Sequence, residues 1–206
     1  GEQFIRGLAR DFGHLHSVSV GSEFTFGHKR SGNVALLRQL GAELKLTVHG
    51  LAAVSLDGEP VSSTRIREAV RTGDLAAASQ MLGREHSIAG TVIRGDQLGR
   101  KLGFPTANLD VSGLVLPPNG VYAVHARLAG HEHRGALNLG HRPTLASPTP
   151  CLQCEVHLLD FAEEIYGEEI ELTFAAKLRD EQKFPDMAAL QSQITRDLAA
   201  ARSLFA

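Results

Sequence analysis

The stretch GTVIRGDQLGRKLGFPTAN, residues 90–108, holds the residue types best suited to phosphate and metal chemistry. Its glycines recur at every fourth position: Gly95, Gly99 and Gly103. Glycine lets a backbone turn tightly and come close to a ligand. Thr106 and Asn108 end the stretch with a hydroxyl and an amide oxygen, hard donors that suit Mg²⁺. A glycine loop alone more often indicates a plain turn, so this interpretation depends on partners elsewhere in the chain.

Two basic residues in the same loop, Arg100 and Lys101, could neutralise phosphate or could be ordinary solvated charges. The sequence nowhere contains Gly-x-x-x-x-Gly-Lys followed by Ser or Thr. Any nucleotide site here would therefore differ from that of the P-loop enzymes.

Glu155, in the stretch CLQCEVHLLDF, is the candidate for acid–base chemistry. If this stretch is a strand, alternate side chains point to the same face, so His157 and Leu159 share the face of Glu155. The other face then carries the remaining set: Cys154, Val156 and Leu158. A glutamate on an antiparallel strand usually faces water, but this position also suits a general base that takes the proton of a substrate hydroxyl.

Cys151 and Cys154 are three residues apart, which resembles a metal or redox pair. Residues at that spacing on a strand point to opposite faces, and structural zinc needs four ligands. Redox chemistry would need the pair at the start of a helix, which the sequence does not predict. We therefore expect neither role.

Two stretches in the first 85 residues could hold a phosphate. Residues 62–67, SSTRIR, gather hydroxyls and arginines at a predicted helix start, where free N–H groups and the helix dipole attract anions. Residues 24–32, FTFGHKRSG, form a basic loop hinged by glycine. The commoner interpretations are a plain helix cap, and a surface loop over two buried phenylalanines.

The elements of residues 1–85 alternate between helix and strand, which is typical of parallel βα units. Apolar spacing predicts helices at 2–11 and 34–40, and strands at 18–20 and 44–48. Two further helices are expected to be capped by Ser62 or Ser63 and by Asp74. A joint is expected at residues 82–86, where Gly83 can end a helix.

Beyond residue 86 the pattern changes to short strands without intervening helices, which predicts an antiparallel barrel or sandwich. The predicted strands are 87–94, 106–111, 120–128, 133–139, 152–160 and 169–178. Asp186 can cap a last, amphipathic helix that runs to Phe205. We expect this helix to pack on the barrel, and a partner-binding helix is the rarer alternative.

Composition narrows the function classes. The chain has 206 residues, 43% of them hydrophobic, enough for one large core or two small ones. A net charge of −2 and 5% aromatic residues argue against a nucleic-acid groove or an anionic membrane surface as partner. Apolar runs are too short to span a bilayer, and the low cysteine count fits a cytoplasmic protein. The start Gly-Glu-Gln-Phe, without Met, suggests a piece of a longer protein, and self-association stays open.

Residues 102–108, LGFPTAN, resemble the ATP and Mg²⁺ loop of riboflavin kinases. Later blocks resemble the same family in the same order: GVYA from Gly120, NLGHRPT from Asn138, EVHLLDF from Glu155, IYG from Ile165 and LRDEQKF from Leu178. The resemblance covers residues 86–206. It implies a small Greek-key antiparallel barrel with a C-terminal helix, which transfers the γ-phosphate of ATP to riboflavin and gives FMN.

The resemblance also implies a role for each matching residue. Glu155 would be the catalytic base, and Thr106 and Asn108 would hold Mg²⁺ between the phosphates. The implied ATP-binding residues are Gly95, Gly99, Arg100, Gly103, Phe104, Thr106 and Asn108. The implied flavin-binding residues are Arg179, Glu181 and Phe184. An ion-paired strand end is the alternative for Arg179.

Residues 1–85 resemble the second half of the FMN adenylyltransferase domain of bacterial bifunctional flavokinase/FAD synthetases, a Rossmann-like α/β nucleotidyltransferase that precedes the kinase. The matching residues are Phe24, Gly27, Arg30, Ser62, Ser63, Thr64 and Arg67. Two features depart from the family: Glu23 stands where it usually has Asp, and the His-x-Gly-His motif is absent. We therefore expect a partial domain over 1–85 with adenylyl transfer absent or crippled, and a kinase domain over 86–206. The alternative is a flavin- or nucleotide-binding fragment without turnover.

Overall fold

The computed structural model of the protein describes residues 1–13, 15–142 and 151–206, with only the backbone at His141, Arg142 and Cys151. The predicted block at 143–144 lies outside these residues. The chain forms two compact units, Gly1–Val61 and Ser62–Ala206. The boundary predicted at residue 85 separates two domains of different families, whereas the compact units are defined by contacts alone. The predicted boundary therefore stays a prediction. No helix in the described ranges is long and apolar enough to cross a membrane.

The first unit contains one parallel strand–helix–strand repeat. Its elements are α1 (Glu2–Asp11), β1 (Ser17–Gly21), β2 (Thr25–Phe26), β3 (Gly32–Asn33), α2 (Val34–Leu44), β4 (Thr47–Leu51), β5 (Ser55–Leu56) and β6 (Glu59–Pro60). Strands β1 and β4 pair in parallel, with α2 between them in the chain, as the alternating pattern predicted. The strand predicted at 44–48 begins later because α2 continues to Leu44 and ends at Lys45, whose φ is +57°.

Two capped helices open the second unit: α3 (Ser63–Thr72) and α4 (Leu75–Leu82). Of the two serines left open by the sequence, Ser62 caps α3, since its hydroxyl accepts the Arg65 N–H at 3.3 Å. Asp74 caps α4 by accepting the Ala77 N–H at 2.9 Å. Gly83 ends that helix in the left-handed region, at φ +68°, as its position predicted.

A closed barrel of six antiparallel strands forms the centre of this unit. In chain order its elements are β7 (Ser87–Ile93), α5 (Leu98–Lys101), β8 (Ala107–Leu109), β9 (Gly120–Leu128), β10 (His131–Arg142), β11 (Cys151–Leu158) and β12 (Glu169–Arg179). Around the barrel the order is β10-β11-β8-β7-β12-β9, so the predicted barrel is confirmed over the sandwich. The short helix α5 within the glycine loop was not predicted, because four residues are too few to show a helical period.

Helix α6 (Met187–Leu204) packs on the outside of the barrel, as expected. Asp186 caps it by accepting the Ala189 N–H at 2.8 Å. Beneath the helix lie two paired alanines, Ala123 on β9 and Ala136 on β10, with Ala201 of the helix against them. Their small side chains let the helix axis come close to the sheet.

The end of β12 departs from regular strand geometry. Its register against β9 shifts twice, and the second shift falls between Lys177 and Arg179. Regular alternation would send Leu178 and Arg179 to opposite faces, whereas Leu178 packs in the alanine cluster under α6 and Arg179 also bonds to α6. The bulge therefore turns two adjacent side chains toward the same helix.

His86, just before β7, should make the stability of the barrel depend on pH. Its Nε2 is buried without a hydrogen-bond partner among the described residues, and its ring stacks on Phe174 at 5.6 Å. Burial, with a smaller effect from Arg84, lowers the pKa of His86. Below the usual histidine pKa of about 6.5, His86 would bind a proton in the unfolded chain but stay neutral in the folded chain. The free energy of unfolding should therefore fall as pH falls.

A His86→Phe variant should lose this part of the pH dependence. The measurement is urea unfolding across pH 5 to about 8, followed by tyrosine circular dichroism. Both tyrosines, Tyr122 and Tyr166, lie in the second unit, so the signal reports on that unit alone. His131→Gln, at the exposed start of β10, is the control and should behave like the parent chain. Parallel curves for the parent and His86→Phe would contradict the prediction.

Candidate active site

Most of the predicted kinase residues line a single cavity of about 320 Å³ between the outer face of the barrel and α6, here called cavity A. The predicted residues on its wall are Gly99, Phe104, Thr106, Glu155, Arg179, Glu181 and Phe184. Helix α6 closes the opposite side with Leu190, Ile194, Asp197 and Leu198. The cavity therefore joins a carboxylate, a threonine hydroxyl and an apolar wall.

Glu155 reaches cavity A because its strand alternates as the sequence predicted. Its neighbours Cys154 and Val156 are buried in the barrel core, which turns Glu155 and His157 outward. In the antiparallel register between β11 and β8, Glu155 lies opposite Asn108. The candidate base and the candidate metal ligand are therefore direct partners across two strands.

The glycine loop closes on its own threonine and asparagine. A Cβ at Gly99 would lie 2.4 Å from the Phe104 carbonyl oxygen and 3.1 Å from the Thr106 hydroxyl oxygen. A Cβ at Gly95 would lie 2.4 Å from Nδ2 of Asn108. These two glycines are thus required for the close approach of the loop to its own end. Gly103 adopts φ +87°, which continues the turn.

His157 holds the segment before Thr106, and sequence reasoning assigned it no role. Its Nδ1 lies 2.7 Å from the carbonyl oxygen of Pro105. A carbonyl can only accept, so Nδ1 carries the proton and donates. The ring also meets Phe104 edge-on at 6.2 Å. The one sequence feature that could have indicated a role for His157 is its place on the same strand face as Glu155.

A second cavity of about 240 Å³, here called cavity B, lies on the other side of Thr106. Its polar wall comes from the glycine loop and from the segment after β11: Gln97, Arg100, Thr106, Glu163, Glu164 and Tyr166. Thr106 lines both cavities, so they share a wall there. Arg100 forms a long, exposed ion pair with Glu164 at 3.4 Å. Arg94 lies over the ring of Tyr166, 5.1 Å from its centre.

Arg179 forms the ion pair that the sequence left as an alternative. Its Nε donates to both carboxylate oxygens of Asp197 at 2.9 and 3.0 Å, and its Nη2 donates at 2.8 Å. Its Nη1 donates to the carbonyl of Asp180 at 2.9 Å, and its guanidinium lies 5.7 Å from the ring of Phe184. Asp197, 7% exposed, is the buried charged residue among those that the structure describes, and no sequence pattern predicted its burial.

Glu181, the third predicted flavin residue, is held by the barrel. Its Oε2 accepts from Nδ2 of Asn119 at 3.1 Å. Its Oε1 packs over Gly140, where a Cβ would lie 2.5 Å away. The binding roles of Arg179, Glu181 and Phe184 stay predictions, while their shared position on cavity A is structural.

The oxygen donors of Thr106 and Asn108 fit a magnesium ion that is held partly by phosphate. The described residues contain no group of three or more His, Cys, Asp or Glu that could hold a metal. Mg²⁺ commonly takes one or two protein ligands and completes its shell with substrate phosphates and water. Cys154 does not suit metal binding, because burial raises the pKa of its thiol to about 12.

The residues predicted for the adenylyltransferase part fall in both compact units. Phe24, Gly27 and Arg30 belong to the first unit. Residues 62–64 and Arg67 cap or form α3 in the second unit. The sequence allowed two buried phenylalanines in the loop, but Phe24 is 40% exposed and stacks on buried Phe26 at 5.7 Å. Their roles stay predictions.

Comparison with known proteins agrees with the resemblance seen in the sequence. Residues 82–205 match the riboflavin kinase family, and residues 1–65 match the FAD synthetase family. A bifunctional riboflavin kinase/FMN adenylyltransferase from Haemophilus influenzae is 42% identical over 193 residues, which is 93% of this chain and 62% of the relative. One from Escherichia coli K12 is 38% identical over 205 residues, 99% of this chain and 65% of the relative. The chain thus spans 62–65% of the length of these relatives.

One solved structure shares the fold of most of the chain. The crystal structure of a protein described as a macrolide-efflux protein from Streptococcus pneumoniae superposes with a TM-score of 0.70 at 29% identity. The match covers 88% of this chain and 58% of that one.

The buried ion pair of Arg179 with Asp197 should matter far more for stability than the exposed pair of Arg202 with Asp160. Both pairs join α6 to the barrel unit, at 2.8 and 2.7 Å. Asp197→Ala leaves the nearly buried Arg179 charge without its partner, which should cost about 3–5 kcal/mol. Asp160→Asn keeps a residue that tolerates the backbone φ of +57° at this position, removes only a solvent-screened contact, and should cost much less.

The check is urea unfolding of both variants at neutral pH, followed by tyrosine circular dichroism. Equal destabilisation by the two substitutions would show that the burial of the Arg179 pair has no special weight.

Proposed function

The chain belongs to the riboflavin kinase family, and from that membership we propose that it transfers the γ-phosphoryl group of ATP to the 5′-hydroxyl of riboflavin, forming FMN and ADP. The observation that carries the proposal is the shared position of Glu155 and Thr106 on cavity A. Phosphoryl transfer needs an acceptor hydroxyl, a base and the phosphate at one point, and these two residues mark that point.

Cavity A is proposed to hold riboflavin. Its volume of about 320 Å³ falls in the range of small-molecule sites, and an aromatic and aliphatic wall suits a flat, apolar ring system. Phe104, Phe184, Leu190 and Ile194 supply that wall. The ribityl chain would extend along the barrel face, so that its terminal hydroxyl meets the Glu155 carboxylate.

Cavity B is proposed to hold the nucleotide, with its phosphates directed at Thr106. Arg100 is the cation of the glycine loop that lines cavity B, and its ion pair with Glu164 is long and exposed. Such a pair is weak, so Arg100 can exchange Glu164 for a phosphate, with which it makes stronger charge-assisted hydrogen bonds. The γ-phosphoryl group would then enter cavity A past the shared wall.

Thr106 and Asn108 are the residues that would hold Mg²⁺ together with the phosphates. When bound, the ion would neutralise charge on the phosphate oxygens. The loop packs closely against both residues, because Gly95 and Gly99 leave room for no side chain between the loop and its end.

The chemical step assigns one proton transfer to the protein. The Glu155 carboxylate accepts the proton of the riboflavin 5′-hydroxyl while the 5′-oxygen bonds to the γ-phosphorus. The bond between the γ-phosphorus and the β–γ bridging oxygen breaks, and ADP is released. A general base contributes about 10²–10⁴-fold to the rate, so positioning of the two substrates supplies the larger share.

FMN adenylylation is proposed for a longer form of the protein. The curated relatives that carry both activities in their names are longer than this chain, which lacks the His-x-Gly-His sequence. We therefore expect these 206 residues to produce FMN and no FAD.

Glu155→Gln should lower kcat for FMN formation by about 10²–10⁴-fold, since the amide cannot take the proton. The dissociation constant of riboflavin, measured by flavin fluorescence, should stay within about twofold because shape and hydrogen-bonding capacity are kept. Glu169→Gln, on β12 and away from both cavities, is the matched control and should keep full activity.

The same assay, with FMN and FAD separated by chromatography, tests the alternative. A parent chain that binds riboflavin and ATP but forms no FMN would be a binding fragment without turnover. FAD formation by the parent chain would refute the expected loss of adenylylation.

Thr106→Val should raise the Mg²⁺ concentration needed for half-maximal FMN formation, because valine keeps the shape and removes the oxygen donor. A loss of about tenfold or more in apparent metal affinity is expected for a ligand of this kind. Riboflavin binding without nucleotide should be unchanged. Thr91→Val, at an exposed position of β7, is the control. An unaltered Mg²⁺ dependence would remove Thr106 from the metal site.

A further inference from the structure

We infer that His157 is a positioning residue, which sets the distance between the Thr106 end of the glycine loop and the Glu155 carboxylate. The inference rests on the proposed kinase activity and adds a residue to it. Glu155 and His157 stand two residues apart on the outer face of β11, and both line cavity A. One is aimed at the acceptor hydroxyl, and the other holds the loop that would carry the phosphate.

The strand ladder alone does not fix Thr106. β8 has three residues, and its register with β11 covers only Asn108 opposite Glu155 and Ala107 opposite Val156. Thr106 is the next residue outward, beyond the last ladder pair. Its position relative to Glu155 therefore depends on contacts made by the chain just before it.

His157 makes that contact from the strand of Glu155. The Nδ1–H group donates to the Pro105 carbonyl at 2.7 Å. This carbonyl belongs to the peptide unit that joins Pro105 to Thr106, and a peptide unit is planar. A hydrogen bond to the oxygen therefore restrains the peptide unit that carries the Thr106 Cα. The hydrogen bond extends the β8–β11 pairing by one side-chain link.

Other contacts hold the same segment from different directions. The Phe104 N–H donates to the Gly99 carbonyl at 2.8 Å, within the loop itself. Gln191 of α6 donates through Nε2 to the Leu102 carbonyl at 3.2 Å. Neither contact connects the loop to β11. The hydrogen bond of His157 is a side-chain link between the loop and the strand that carries Glu155.

Loss of this link should act on turnover more than on flavin binding. A displacement of reacting groups by about 1 Å can cost about 10²-fold in rate. Riboflavin would still meet the wall formed by the barrel face and α6, since those elements do not depend on Pro105. A residue that merely stabilised the fold would change both quantities together.

The test compares three substitutions. In His157→Asn the amide nitrogen is bonded to Cγ, as Nδ1 is in histidine, so it can donate from nearly the same place. His157→Gln moves the amide one bond farther out, and His157→Leu has no donor. His131→Leu, at an exposed site on β10, controls for loss of a histidine. The readouts are kcat, KM for ATP, riboflavin affinity, and amide hydrogen exchange across residues 104–108.

His157→Leu and His157→Gln should lower kcat/KM for ATP by about 10- to 100-fold, with riboflavin affinity within about twofold of the parent. Amide exchange at Thr106 and Ala107 should rise in both variants. His157→Asn should restore most of the rate and the slow exchange. Tyrosine circular dichroism confirms folding, and the comparison of Asn with Gln stands if the leucine variant does not fold.

Equal rates and equal exchange in all variants would overturn the inference. Weakened riboflavin binding in every variant, Asn included, would also overturn it and would make His157 a flavin contact. A parent chain that forms no FMN would defeat the proposed function, while the exchange measurements would still decide whether His157 holds the loop.

Discussion

The register between β8 and β11 is the constraint on which the candidate site depends. Cys154, Val156 and Leu158 are all buried in the barrel, so the opposite face of β11 must carry Glu155 and His157. A slip of one residue would move the carboxylate into the core and three apolar side chains into water. Burial of the apolar residues thus aims the polar ones. The pairing of Glu155 with Asn108 follows from the same register.

The barrel interior is filled, so the two cavities are built at its surface. Leu137, Leu139, Ile170 and Leu172 are essentially inaccessible within the six-stranded barrel. A barrel of this size has room inside for side chains only. Elements added to the barrel supply the remaining walls. The glycine loop and α6 close cavity A over the outer face of the barrel, and the glycine loop and the segment after β11 close cavity B over the core residues Val92, Val156 and Leu158. The paired alanines at 123 and 136 let α6 approach, and the bulge in β12 supplies Leu178 and Arg179 to hold it.

Sequence reasoning succeeded where local chemistry decides the outcome. The period-two pattern of β11 predicted the face of Glu155, and the caps at Asp74 and Asp186 follow from residues three positions apart. It failed where partners are distant in the chain. Asp197 looks like a surface residue of an amphipathic helix until Arg179, 18 residues away, is placed beside it. His157 and Pro105 are 52 residues apart, and no local pattern joins them.

The contacts that hold the barrel differ from those that hold the glycine loop and α6, so the candidate site can be disrupted while the barrel stays folded. The barrel is held by a continuous apolar core and by ladders between all neighbouring strands, which open only with the whole unit. The glycine loop and α6 are attached to it through side chains. His157 bonds to Pro105 of the loop, α6 packs on Ala123 and Ala136 and forms the ion pair of Asp197 with Arg179, and Gln191 of α6 bonds to Leu102 of the loop. The Gln191 contact joins the two added walls to each other, so a shift of α6 would be transmitted to the loop that carries Thr106. The candidate site is therefore held by two kinds of contact: the barrel core keeps Glu155 in place through β11, and side chains outside the core hold the glycine loop and α6.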